Sequence, residues 1–309
     1  GIEILKEFKN INKNIPVIII SGHGTVYLSL SVIIIGDYDF LYNLFISDKL
    51  IILSNRAIEN SRLKNENQDL KELITPSVSL IGKSNFINNT KKKILIYSKS
   101  NSRLLIEGQF GVGKSLIANQ IHQHSKYKDK IPLKIDFASL NESNLEDLFS
   151  DETKNLSDNL FIRSNQNTLI LSNIDQIPLK FQKQFLFFIE NPEFFKPYNI
   201  ELDQKIITIS ENKLDEEVKN GNVLIRLYER LKVDHMICPS LSNRIPDIQP
   251  ILNYYISKFN TRNVNLSFSK SAISKLETFN WPGNIAQLVN YVEKTVILNQ
   301  SATEDLILD

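Results

Sequence analysis

The chain has 309 residues, with 36 Lys and Arg against 35 Asp and Glu and a formal net charge of +1. A charge this balanced excludes a global electrostatic pull toward nucleic acid or an anionic membrane. Hydrophobic residues make up 42%, enough for sizeable cores, and the single cysteine, Cys238, excludes an internal disulfide and a cysteine-rich zinc site.

The length suits two or three domains. The chain opens at Gly1 directly inside the periodic segment IEILKEF, which predicts a longer parent. No basic n-region followed by an apolar h-region precedes it. The pattern then predicts a helix over 2–9, a strand over 16–20, a helix over 26–35, a short strand over 38–41 and a helix over 48–59. Residues 15–36 carry no Asp, Glu, Lys or Arg and are long enough to span a bilayer. The turn-forming Ser21-Gly22-His23-Gly24-Thr25 interrupts them, so a buried strand, a turn and a helix are expected, and no membrane span. Residues 57–73, AIENSRLKNENQDLKEL, read as a linker helix with a thin stripe at Leu63, Leu70 and Leu73, ended by Thr75-Pro76.

Beyond residue 78 the pattern is α/β. Strands are expected at 103–107, 133–136, 168–171 and 205–210, and helices at 114–124, 179–189 and around 214–219. From 250 to 298 the reading is mostly helical, with a break at Asn280-Trp281-Pro282-Gly283. His122 and His124 fall on different sides of their helix, which argues against a shared metal. Lys91, Lys92 and Lys93 read as a solvated helix face.

Residues 108–115 read GQFGVGKS and fit G-x-x-x-x-G-K-[ST] at every fixed position. A short apolar run enters this stretch and a helical pattern leaves it. Glycines let successive N–H groups turn inward on phosphate oxygens, and the helix adds the positive end of its dipole. Lys114 is placed to reach the β and γ phosphates of a nucleotide, and the Ser115 hydroxyl to ligate Mg²⁺. Gly108, Gln109, Phe110, Gly111, Val112 and Gly113 form the cradle.

Beyond this loop the chain carries SLIGKS at 79–84, IHQHS at 121–125, GNVLIRLYERL at 221–231, LSNRIPDI at 241–248 and NWPGNIAQLVNYVEKTVIL at 280–298. With these motifs in this order it resembles the NtrC class of two-component response regulators, and within that class the NtrX-like branch. GIEILKEFKNINKNIPVIIISGHG followed by GDYDF is similar to the second half of a receiver domain. The resemblance implies an α/β fold in four parts. Residues 1–60 would be the C-terminal part of a flavodoxin-like receiver and 61–77 a linker helix. Residues 78–235 would be an AAA+ P-loop nucleotide-binding subdomain of the sigma-54 activator type, and 236–309 a helical lid. It adds Ile81 and Leu116 to the residues expected to touch ATP or ADP. It also implies a cytoplasmic protein, a sensor histidine kinase as partner of the parent, a homo-oligomer, and DNA contact only through a C-terminal domain not included here.

Several family positions are altered. The phosphate-accepting Asp would lie before the opening segment, Ser21 matches the hydroxyl that senses it, and Asn43-Leu44 stand where the family has Lys-Pro. The family's second acidic strand ends in Asp-Glu, whereas 168–171 is followed by Ser172-Asn173, with no carboxylate to order a metal shell or take a proton from water. Asp175 is a candidate compensating acid if a turn returns it to the site, which its spacing disfavours; Asp136 is another. Of the family's two trans-acting arginines one is Leu224 and the other is Arg230, with Arg226 where the family has Asp. Ala286 fills the place of the lid arginine. No GAFTGA-like loop occurs between Leu148 and Gln166.

Three readings stay open on the residues alone. The chain binds ATP or ADP and has lost hydrolysis; or Asp175, Asp136 or Arg230 sustain a working oligomeric ATPase; or it is a remnant of a split or decayed gene that binds nothing.

Overall fold

The computed structural model describes residues 18–21, 39–42, 47–74, 79–150, 156–260, 266–299 and 306–308. The chain divides into two units, Gly1–Ser77 and Val78–Asp309. In the first, β1 (Ile18–Ser21) and β2 (Asp39–Tyr42) pair in parallel, Ile18 opposite Asp39 and Ser21 opposite Tyr42. The helices expected at 2–9 and 26–35, the 22–25 turn, Asn43-Leu44 and Thr75-Pro76 lie outside the described residues. Helix α1 (Ser47–Ile74) runs unbroken through position 60, where the sequence reading ends the receiver-like part. It contains no Gly or Pro to stop it, and Arg62 Nε donates to Glu66 Oε1 at 2.8 Å one turn on.

The second unit is built on a five-stranded sheet. After α2 (Asn85–Lys99) come β3 (Leu104–Glu107), α3 (Lys114–Gln123), β4 (Leu133–Asp136), α4 (Glu142–Leu148) and α5 (Leu160–Arg163). Next are β5 (Thr168–Ser172), α6 (Leu179–Glu190), β6 (Lys205–Ser210), α7 (Leu214–Lys219), α8 (Ile225–Leu231) and β7 (Asp234–Ile237). The order is β4-β5-β6-β3-β7, with each neighbouring pair parallel. Central β3 and β6 are buried at every residue, as a strand covered on both faces must be. Edge strand β7, Asp-His-Met-Ile, is only partly covered, and its two polar residues hide it from a hydrophobic pattern. The sequence reading lacks α4, α5 and α8, and gives of α2 only the solvated face at Lys91, Lys92 and Lys93, which is exposed. The three missing helices are too short for a periodicity to show. The sheet continues to Ile237, past the 235/236 division, because all four residues of β7 pair with Leu104–Glu107.

One face of the sheet carries Ile87 and Ile94 from α2 with Ile117, Ala118 and Ile121 from α3. The other carries a phenylalanine core of Phe149, Phe161, Phe181, Phe185, Phe188 and Phe195. Its rings approach with centroids 5.4–6.4 Å apart, within the range of favourable aromatic pairs. The lid has α9 (Ile248–Phe259), β8 (Leu266–Phe268), α10 (Lys270–Thr278), α11 (Asn284–Leu298) and β9 (Leu306–Leu308), which pairs in parallel with β8. The helical pattern does break between α10 and α11. Trp281 sits there at φ 46°, buried among Leu288, Val292 and Leu241, with its Nε1 donating to Leu276 O at 2.7 Å.

Among the described residues no helix is long and apolar enough to cross a membrane; residues 22–36 are not among them.

His122, buried on α3, ties that helix to the sheet. Its Nε2 lies 2.8 Å from Lys130 O, which can only accept, so Nε2 carries the proton and Nδ1 accepts from the Thr168 hydroxyl at 2.8 Å. His124 instead places Nδ1 on Gln120 O, so the two histidines share nothing. Burial pushes the His122 pKa below its ordinary 6.5. The unfolded chain therefore takes up its proton first, and the stabilising contribution, complete above pH 6.5, is lost as pH falls from there toward the depressed folded value. The melting temperature is expected to drop across that window, and His122→Gln to flatten the drop. In the phenylalanine core, Phe185→Ala should cost about 3–5 kcal/mol in urea denaturation through the cavity it leaves.

Candidate functional site

The site grows from the end of β3. Gly108 N–H donates to Ser210 O at 3.2 Å on one side, and Cys238 N–H donates to Glu107 O at 2.7 Å on the other. The chain then turns through 108–113 with φ values of 155° at Gly108, 74° at Gly111 and 100° at Gly113. At Gly111 a side chain is excluded twice over, by the left-handed backbone and because its Cβ would lie 2.2 Å from Gly283 O. Gly113 caps α3 without a side-chain partner, so the first amides of α3 remain to be satisfied by something else. Lys114 is 6% exposed. Its Nζ folds back to donate to Gly108 O at 2.6 Å and Gln109 O at 2.9 Å. Burial pulls its pKa down, opposed by the charge of Glu211. Ser115 is exposed in the first turn of α3. A nest of inward amides, a lysine and a hydroxyl at a helix N-terminus can hold a phosphate chain and its cation. Among the described residues there is no cluster of three or more His, Cys, Asp or Glu suited to a metal.

Beside the loop lies an apolar cleft of about 40 Å³ lined by Ile81, Leu116, Tyr255, Ile285 and Arg244. Arg244 is buried, donates through Nη2 to Val112 O at 2.5 Å and stacks over Phe86. Cys238 is a buried small side chain whose thiol burial pushes up to about 11.

The lid closes directly on the loop. Ile285 N–H donates to Gly111 O at 3.0 Å, and Asn284 Nδ2 donates to Phe110 O at 2.8 Å while its Oδ1 accepts from Leu241 N–H at 2.7 Å. Asn284 is fully buried at φ 51°. Ala286 stands next to the loop, its Cβ 3.1 Å from where a Gly111 side chain would begin, and it brings no charge.

At the end of β5, Asn173 adopts a left-handed conformation (φ 56°). Its N–H donates to Ile209 O at 3.0 Å and its Nδ2 to Asp136 Oδ1 at 2.7 Å, so the acid at the end of β4 is occupied by an amide. Asp175 meets the end of the neighbouring strand β6, and none of its contacts is to the phosphate loop. A 3₁₀ turn over Ile174–Gln176 carries its carboxylate there, where it accepts from Asn212 Nδ2 at 3.0 Å and lies 3.4 Å from Ser210 Oγ. The turn is possible because Asn173 takes the left-handed conformation that reverses the chain.

The arginine segment is also tied up. Leu224 packs against the phenylalanine core, with its N–H on Gln182 Oε1 at 2.9 Å. Arg230 Nε lies 3.0 Å from Glu190 Oε1, and Arg226 Nη2 lies 3.0 and 2.9 Å from the two oxygens of the same carboxylate. The two arginines, Arg230 first, hold Glu190 well below the usual carboxylate range.

Residues absent from the sequence reading complete the frame. Asp247, fully buried, accepts from Lys83 N–H, Ser84 N–H and Ser84 Oγ, each at 2.7 Å, and so joins the lid to the start of α2. Glu107 accepts from Leu214 N–H at 2.7 Å and meets His235 Nε2 at 2.5 Å. The LSNRIPDI and LLIE stretches contain both acids, but nothing local marks their partners, which lie more than a hundred positions away.

Comparison with known proteins agrees with this geometry. The Sigma-54 interaction domain family matches residues 80–237, and the AAA+ ATPase lid domain family matches residues 242–307. The chain is 36% identical over 313 residues to the response regulator NtrX-like protein of Rickettsia typhi, covering 98% of this chain and 66% of that one. It is 31% identical over 324 residues to the regulatory protein AtoC of Escherichia coli, covering 99% and 70%. The crystal structure of NtrX from Brucella abortus in complex with ADP superimposes with a TM-score of 0.82 at 26% identity, covering 100% of this chain and 72% of that one. The chain spans 65–66% of the length of the Rickettsia relatives. The parallel α/β sheet, the phosphate loop with its helical lid and these likenesses together mean that the chain belongs to the NtrX-like response regulators that carry a sigma-54 interaction domain with an AAA+ lid.

Proposed function

We propose that the chain is the nucleotide-holding part of an NtrX-like transcription regulator, one that binds ATP or ADP and no longer cuts it. The observation that carries this reading is a contrast within one sheet. β3 delivers an intact glycine loop onto Lys114 and Ser115, while β5 delivers the neutral pair Ser172 and Asn173. A Brucella abortus relative was solved with ADP and with ATP, which supports the binding half. In this reading 108–113 and the first turn of α3 hold the phosphates, Ser115 faces Mg²⁺, and Ile81 and Leu116 flank the base.

Loss of hydrolysis is expected on electrostatic grounds. No carboxylate ends β5, Asp136 is engaged by Asn173, and Arg230 is engaged by Glu190. Groups that stabilise charge developing on a transferring phosphoryl group each contribute about two to three orders of magnitude. The domain scheme belongs to the same proposal: a receiver-derived segment over 1–60, a linker to 77, the nucleotide subdomain to 235 and the lid to 309. So do the cytoplasmic location, a sensor kinase and further copies of the chain as partners of the whole regulator, and DNA contact through a further C-terminal domain.

Asp175, whose carboxylate meets Ser210 and Asn212 at the end of β6, favours a second reading, a slow ATPase in which this carboxylate replaces the lost acids. Titration with a fluorescent ATP analogue in Mg²⁺ should give saturable binding that weakens at least about tenfold in Lys114→Ala, the loss expected for a charge-assisted phosphate contact. Phosphate release should stay at the background of that variant. Turnover above background that disappears in Asp175→Ala would establish the second reading, and a chain with no saturable binding would remove both.

A further inference from the structure

The phosphate loop has a second neighbour besides the lid. Ser210 ends β6 opposite Glu107, the last residue before the loop, and its carbonyl accepts from Gly108 N–H at 3.2 Å. The next residue, Glu211, is therefore held at the flank of the cradle. It lines, with Gly108 and Gln109, a cavity of about 430 Å³, and its carboxylate is exposed. Its charge reaches Lys114, the cation of the loop. The two lysines lining the same cavity have partners of their own: Lys213 Nζ lies 3.3 Å from Glu216 Oε1, and Lys232 Nζ donates to Tyr228 Oη and sits over that ring. Lys114 thus has an acid at the flank of its loop, while Arg230 pairs with Glu190 and Ala286 adds no cation.

We propose that Glu211 makes this site selective for a nucleoside diphosphate over the triphosphate. The proposal rests on the nucleotide-binding reading and names its ligand. A lysine at this position spans the β and γ phosphates. Two phosphates are matched by Lys114 and the loop amides, whereas a third brings further negative charge toward a carboxylate and meets no arginine from position 230 or 286. The repulsion acts through an exposed group, so it is screened by salt.

Affinities for ADP and for a non-hydrolysable ATP analogue, measured by calorimetry at fixed Mg²⁺, test this. The unaltered chain should bind ADP about tenfold more tightly than the analogue, with the ratio narrowing toward one at high salt. Glu211→Gln, an exposed isosteric change, should raise affinity for the analogue about tenfold and leave ADP within about twofold, with an unchanged melting temperature. Equal or tighter binding of the analogue by the unaltered chain overturns the proposal, as does an unchanged ratio in Glu211→Gln. A variant that loses affinity for the analogue also overturns it, and would make Glu211 a metal or water ligand. Saturable binding of neither nucleotide removes the nucleotide reading itself, and the proposal with it.

Discussion

The placement of β3 between β6 and β7 is the constraint on which the rest of the nucleotide unit depends. Leu104–Glu107 pair in parallel with Ile207–Ser210 on one side and Asp234–Ile237 on the other. A strand pinned on both edges must leave the sheet at its C-terminal end, where parallel α/β sheets present their ligand crevice. The backbone there has no freedom to drift, because Gly108 N–H and Glu107 O are already used by the neighbouring strands. The chain beyond Gly108 must turn at once, which is why left-handed glycines occupy 111 and 113 and why α3 begins immediately after.

The same constraint makes the lid part of the loop. Gly111 leaves just enough space for the Gly283 carbonyl, and Asn284 spans from Phe110 O to Leu241 N–H. Asp247, with three donors on one buried carboxylate, fixes the other end of the lid to Lys83 and Ser84. A buried carboxylate is tolerable only when its lone pairs are filled this fully. The lid is therefore held at two points by buried polar groups. Movement of the phosphate loop is bound to be felt in the helices, and the reverse.

The charges around the crevice have been redistributed among themselves. Glu190 holds Arg226 and Arg230, Asp136 holds Asn173, and Asp175 faces Asn212 and Ser210. Each pairing is a contact between neighbouring elements. Lys114 rests on carbonyls, Gly108 O and Gln109 O, that a stronger acceptor can displace.

Much of this was legible in the chain itself. The buried runs at 104–107 and 205–210, the GQFGVGKS turn and the break at Trp281 announce themselves because they rest on local chemistry: apolar periodicity, glycine backbone freedom and the helix-breaking Pro282. The neutral character of Ser172 and Asn173, and of Leu224 and Ala286, needs no structure to be read. Edge strand β7 was hidden because an edge buries too little to impose a pattern, and α1 continued past position 60 because nothing in its sequence ends a helix. Tertiary structure alone decided whom the charges face. It brought Asp175 to the end of β6, gave both arginines to Glu190 and set Glu211 at the flank of the loop, because those distances depend on strand order and turn geometry. Identity of a residue is written in the sequence; its electrostatic partner is chosen by the fold.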